Sequence, residues 1–270
     1  MMTHTAVQTG YAPVNSLRMY YEVHGSGQPL IVVHGGLGMT GMFVPLLPEL
    51  APTWQVIVFD LQGHGHTADI DRPFSFEQFG DDIATLVKHL GFGRVDVMGY
   101  SLGGGGALQT AIRHPDLVCK LVVISTPFKR NGWVPEVLVG MGSMNAEMAI
   151  GSPMHAAYAS AAPRSEDWPK LVDKTRQLLG KDYDWSKGVA AIKAPTLIAV
   201  GDADSISLAY AAEMFALRGG SLRNAGWEGL DMSTSQLAIL LGSTHYNIYV
   251  SPVLASIVKS FLDMPMSVTM

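Results

Sequence analysis

Short apolar runs recur along the chain, each closed by glycine or a polar turn. Residues 17–24 (LRMYYEVH) read as a strand running into Gly25-Ser26-Gly27. Residues 29–33 (PLIVV) form a brief apolar run that ends at His34-Gly35-Gly36. That is the pattern of a strand covered on both faces. The same pattern returns at 55–59 (QVIVF), 94–98 (RVDVM), 120–125 (KLVVIS), 195–200 (PTLIAV) and 236–241 (QLAILL). Between these runs lie helical periods. Residues 76–90 place Phe76, Phe79, Ile83, Leu86, Val87 and Leu90 on one stripe. Residues 102–113 continue from Leu102 through a Gly- and Ala-rich segment to a stop before His114-Pro115. Residues 251–262 close the chain with a third amphipathic stretch. Strands alternating with helices of these lengths predict an α/β fold, a mainly parallel sheet with helices on both faces.

Two segments break the rhythm. Residues 127–190 carry no buried-strand signature and are rich in Met, Ala and Trp, with Pro135, Pro153, Pro163 and Pro169 as interruptions. They predict an inserted helical cap, with 1–126 and 191–270 forming the core. Residues 219–235 (GGSLRNAGWEGLDMSTS) are a long Gly-rich loop of the kind that is often functional or mobile.

Composition narrows the picture. Apolar residues make up 48% of the chain and charged ones 15%, which supplies a large core and argues against disorder. The net charge is −5 and no Lys/Arg run exceeds two residues, so no nucleic-acid or anionic-lipid partner is expected. The stretch Met1 to Tyr11 is polar, without a signal-like apolar segment, and no run is long enough to span a membrane. The expected compartment is the cytoplasm. The lone cysteine, Cys119, excludes an internal disulfide and reads as a small core residue.

Four motifs carry chemistry. Gly99-Tyr100-Ser101-Leu102-Gly103 stands between a predicted strand and a predicted helix. In that context G-x-S-x-G is a nucleophile elbow, a strained turn that aims the serine hydroxyl outward. The helix opening at Leu102 turns its amino end, with free N–H groups, toward the site. The run Gly103 to Gly106 allows very close helix–strand packing, although each helical glycine costs ~1 kcal/mol against alanine. His34-Gly35-Gly36-Leu37-Gly38 follows a second strand, and the amides of Gly36 and Leu102 are the predicted oxyanion donors. His34 itself is expected to hold that loop by hydrogen bonding. Gly201-Asp202-Ala203-Asp204 follows a third strand and supplies a carboxylate to orient a histidine. Either aspartate could serve. Asp204 is preferred because a few loop residues let its side chain turn back, and Asp202 is then a turn residue. Gly242-Ser243-Thr244-His245-Tyr246 follows the last strand and offers His245 as general base. His114 reads as a helix-end residue and His155 belongs to the insertion. His64 and His66 lack ligand-like spacing and are assigned to the surface or to a supporting role.

Taken together, these motifs resemble the α/β-hydrolase superfamily, adding Asp60-Leu61-Gln62-Gly63-His64-Gly65 to the match. The resemblance covers 17–126 and 191–263. It implies an eight-stranded, mostly parallel sheet and a serine mechanism without cofactor or metal. The order Ser101, Asp204, His245 fits that superfamily. The other position where the family places its acid, Ser125-Thr126-Pro127, holds no carboxylate, which strengthens Asp204. Relatives that open epoxides or remove halogens carry aspartate at the elbow, so Ser101 points elsewhere. Ring-cleavage carbon–carbon hydrolases carry tryptophan after the histidine, where this chain has Tyr246. The expectation is a carboxylesterase acting on small to medium esters. A lactonase or cofactor-free perhydrolase using the same triad is the alternative, and a non-catalytic ligand binder is the more remote one. Trp133, Met141 and Met144 are expected to line the substrate pocket. The expected partner is a small ester, and self-association into a homo-oligomer is left open.

Overall fold

In the computed structural model, residues 8–229 and 231–265 are described, which leaves the first seven residues of the polar N-terminal stretch outside them. The chain opens with β1 (Gln8–Val14), β2 (Leu17–His24) and β3 (Gln28–Val33). A short α1 (Leu47–Leu50), β4 (Trp54–Phe59) and α2 (Phe76–His89) follow. Next come β5 (Val95–Tyr100), α3 (Leu102–Arg113) and β6 (Val118–Ile124). Helices α4 (Pro135–Ser143), α5 (Pro153–Ala161), α6 (Trp168–Leu179) and α7 (Ser186–Ala191) occupy the segment predicted as a cap. The chain then runs through β7 (Thr196–Ala203), α8 (Leu208–Leu217), β8 (Gln236–Thr244) and α9 (Pro252–Asp263).

One eight-stranded sheet has the order β1-β2-β4-β3-β5-β6-β7-β8. The first two strands are antiparallel and the pairs from β4 onward are parallel. All six residues of β5 are buried, as are four of β3 and five of β4, which is why those strands read as short apolar runs, broken in β5 by Asp96. Strand alternation sends Ile31, Val33, Ile57 and Val97 into a core layer shared with α2 and α3. Leu30, Val32, Val56 and Met98 point into the layer under α1 and α9. The stripe on α2 is buried as predicted except for Leu90, which is half-buried just beyond the helix end. Ser75 caps that helix by accepting a hydrogen bond from the Gln78 amide at 3.1 Å.

Three details differ from the sequence expectation. Strand β1 was missed because only Ala12 and Val14 of its seven residues are buried, so it carries no apolar run. Helix α8 was missed because its apolar residues are spread around the helix and only Ala211 and Met214 are buried. Cys119 is half-buried near the start of β6 rather than in the core.

The parallel register decides where the loops after the strands meet. Ser101 donates its amide to Ile124 O at 2.9 Å, and Ser125 donates to Ala199 O at 2.8 Å. Ala203 at the end of β7 pairs with Thr244 at the end of β8. Residues 101, 125, 204 and 245 therefore lie along one edge of the sheet, although they are far apart in sequence.

Candidate active site

Ser101 has φ 52° and ψ −120°, a strained backbone for a residue with a side chain. The close packing around it explains the flanking glycines. A Cβ on Gly103 would overlap the carbonyls of Val33 and His34, and one on Gly99 would overlap Gly103 and Gly104. The rest of the glycine run serves the same helix packing. A side chain on Gly104 would strike Thr126, and one on Gly105 would strike Phe76 of α2.

The hydroxyl of Ser101 lies 3.0 Å from His245 Nε2. On its other side, His245 Nδ1 lies 3.0 Å from Asp204 Oδ1. This is the geometry in which Nδ1–H donates to the carboxylate and Nε2 is free to take the serine proton. Asp204 is well anchored. Its Oδ2 accepts from Ser125 Oγ at 2.5 Å and from the Gly201 amide at 3.0 Å, and its Oδ1 accepts from the Ile206 amide at 3.2 Å. Burial works to raise the Asp204 carboxyl, but the His245 and Ser125 hydrogen bonds and the Gly201 amide carry it below its ordinary range. Asp202 instead accepts from the Ser243 amide at 3.1 Å, which makes it the turn residue of its motif.

Gly36 and Leu102 are neighbours in space: a Cβ on Gly36 would sit 3.4 Å from Leu102 Cδ1. Leu102 is the first residue of α3, so its amide has no acceptor within the helix. The loop that carries Gly36 is held from behind. His34 is fully buried, with Nδ1 2.7 Å from Gly35 O, and its Nε2 accepts from the Leu61 amide at 3.1 Å. Asp60, also fully buried, accepts from the Thr40 amide at 2.7 Å and from the His66 amide and ring Nδ1 at 2.8 and 2.9 Å. Of the two roles left open for His64, surface or supporting, the structure fits the supporting one, since that ring is fully buried between His34 and Phe74. Burial and the neighbouring His34 push it down to about 3, so it stays neutral. His114 caps the end of α3 and bonds to Asp81.

Of the predicted pocket residues, Trp133 is buried and its ring meets that of His245 edge-on, with centroids 5.3 Å apart. Met141 and Met144 are half-buried and pack against the larger core layer. No described residue of the loop 219–235 bonds to Ser101, Asp204 or His245, and Leu222, Trp227 and Met232 in it are exposed. Two contributors escaped the sequence reading. Tyr100 donates its hydroxyl to the His245 carbonyl at 2.5 Å and so fixes the loop that carries the imidazole. Ser125 was noted only for not being a carboxylate. Its position between two adjacent strand ends was the available signal.

A sequence profile of the alpha/beta hydrolase fold family matches residues 28–148. A carbamate hydrolase RutD of Caulobacter sp. (strain K31) is 36% identical over 120 residues, 43% of this chain and 42% of that protein. A 2-(acetamidomethylene)succinate hydrolase of Mesorhizobium japonicum is 32% identical over 105 residues, 38% of each chain. The chain therefore spans about two fifths of the length of these two relatives. The solved structure of carboxylesterase CesB from Bacillus subtilis superposes with a TM-score of 0.74 at 18% identity, covering 97% of this chain and 93% of the other. Its sheet order and crossovers are those of the α/β-hydrolase fold, and it shares that fold with this structure. Among the described residues, no helix is long and apolar enough to cross a membrane.

Proposed function

We propose that this protein is a serine hydrolase that cleaves small to medium carboxylic esters through an acyl-enzyme on Ser101. One observation carries the reading: Ser101 Oγ and the Asp204 carboxylate flank the two ring nitrogens of His245, each at 3.0 Å. His245 Nε2 takes the hydroxyl proton as Ser101 attacks the carbonyl carbon. The tetrahedral oxyanion is received by the amides of Gly36 and Leu102, each worth ~3 kcal/mol of barrier. His245 then hands its proton to the departing alcohol. A water deprotonated by the same imidazole attacks the acyl carbon and frees Ser101. Trp133, whose ring meets that of His245, is assigned to an apolar surround for the substrate, together with Met141 and Met144. Methionine adapts to varied shapes, which suits broad acyl acceptance.

The test is turnover of p-nitrophenyl acetate and butyrate. Ser101→Ala should abolish it while the melting curve stays unchanged, and retained turnover would refute the assignment. A second reading is supported by the names of the two relatives, which describe cleavage at a carbamate and at an acetamido compound. The same triad serves an amine leaving group, because His245 protonates nitrogen as readily as oxygen in the collapse step. Lactone hydrolysis and perhydrolysis also need no further residue. A panel of esters of graded acyl length, lactones, carbamates and amides, with a peracid assay in acetate and peroxide, ranks these substrates. The highest kcat/KM on esters is the result expected.

A further inference from the structure

Three non-glycine residues with positive φ stand at the C-terminal edge of the adjacent strands β3, β5 and β6: Leu37 at 57°, Ser101 at 52° and Ser125 at 49°. Leu37 lies in the oxyanion loop and Ser101 is the nucleophile. Ser125 has no role in the mechanism above, yet it shares their strain. A glycine would adopt this backbone freely, so what serine adds is its hydroxyl. That hydroxyl is fully buried and its hydrogen bond goes to Asp204 Oδ2 at 2.5 Å, on the carboxylate oxygen that His245 does not use.

We propose that Ser125 is a positioning residue of this site, with a hydroxyl that keeps the Asp204 carboxylate charged and aimed at His245 Nδ1. The proposal rests on the Ser101–His245–Asp204 reading. Asp204 sits in a buried place where a lone carboxylate would tend to take up a proton. Four donors oppose that: the His245 ring, the Ser125 hydroxyl and the amides of Gly201 and Ile206. The two amides are fixed by the backbone that carries Asp204 itself. Ser125 arrives from the neighbouring strand β6, so it also sets the carboxylate plane relative to the sheet. The titratable groups facing Asp204 from other elements are His245, after β8, and Tyr100, at the end of β5. Without the serine donor, the Asp204–His245 pair would hold its proton more tightly.

The test follows inactivation by a fluorophosphonate as a function of pH, a readout that needs no natural substrate. Ser125→Gly suits the left-handed backbone and removes only the hydroxymethyl group. We expect it to melt close to the wild-type temperature, the relief of backbone strain offsetting much of the lost hydrogen bond, and to react roughly tenfold to a hundredfold more slowly. Its acid-side limb should move to higher pH. Ser125→Ala should show the same kinetic change with a small loss of stability. An unchanged rate and an unmoved acid limb in Ser125→Gly would overturn the proposal. So would a rate loss that is uniform across pH and accompanied by a lower melting temperature in both variants. Ser101→Ala and Asp204→Asn, run alongside, separate the two levels. If Ser101→Ala still reacts at the wild-type rate, the triad reading itself fails. If both controls are inert and Ser125→Gly behaves as wild type, only the positioning role is lost.

Discussion

The strand ends that carry Ser101, Asp204 and His245 and the helices of 127–190 are built on opposite terms. At the strand ends, each functional group is held by several partners. Asp204 has four hydrogen bonds, the His245 loop is tied to Tyr100, and the elbow is wedged between glycines that leave no slack. Helix α4 buries no residue at all, and α5 buries only Tyr158. Val139, Met148, Ile150 and Met154 face solvent. The segment is anchored mainly through α6, where Trp168, Leu171, Val172 and Leu178 join the core, and through Lys174, which reaches Asp69 Oδ1 and Oδ2 at 2.8 and 2.7 Å. The contrast separates two demands. Proton transfer needs atoms fixed to a few tenths of an ångström, whereas admitting a substrate needs a surface that can open.

Four substitutions can break or sharpen this contrast, and the largest effect belongs to the sheet side. Phe79 is fully buried where α2 meets the core, and Phe79→Ala should cost about 3–5 kcal/mol by chemical denaturation. Gly103→Ala comes next. Its methyl has only the Val33 and His34 carbonyls to displace, so it should cost about 1–3 kcal/mol and also disturb the Gly36 loop, lowering kcat. Asp69→Asn should leave global stability within about 1 kcal/mol, yet speed limited proteolysis within 127–190. Val139→Ala, on an exposed face of α4, should stay within about 0.5 kcal/mol of wild type. A large destabilisation from Val139→Ala would erase the distinction between the two regions.

The anchor through Asp69 also predicts a pH dependence. Burial works to raise the Asp69 carboxyl, but the ammonium groups of Lys170 and Lys174 hold it below its ordinary value of 3.8. Because the folded value is depressed, the anchor's contribution is whole above that ordinary value and fades as pH falls through the folded one. Proteolysis of 127–190 should therefore accelerate below about pH 4 in the wild type and show no such step in Asp69→Asn.

Much of the site was legible because chemistry there is written in short words. A glycine two residues either side of a serine, or a His-Gly-Gly after an apolar run, is a local signal with a local cause: backbone approaching backbone. The strands buried on both faces were also readable, since such a strand is mostly apolar even where it carries a buried charge such as Asp96 in β5 or Lys120 in β6. The half-covered β1 and the α8 helix gave no such pattern. Ser125 and Tyr100 stayed hidden for a different reason. Each acts through a residue that only the sheet register brings near, 79 positions away in one case and 145 in the other. His64 stayed open between surface and supporting roles because a Gly-His-Gly-His turn looks exposed, and only the fold shows that its ring fills the space between His34 and Phe74.

The central claim is that the hydroxyl of residue 101 is activated by the imidazole of residue 245. Mass spectrometry of peptides after brief exposure to a fluorophosphonate tests it most directly. The account predicts a single adduct on Ser101, formed at least ~10³-fold more slowly in His245→Ala. An adduct on another residue, or labelling of His245→Ala as fast as the wild type, would contradict it.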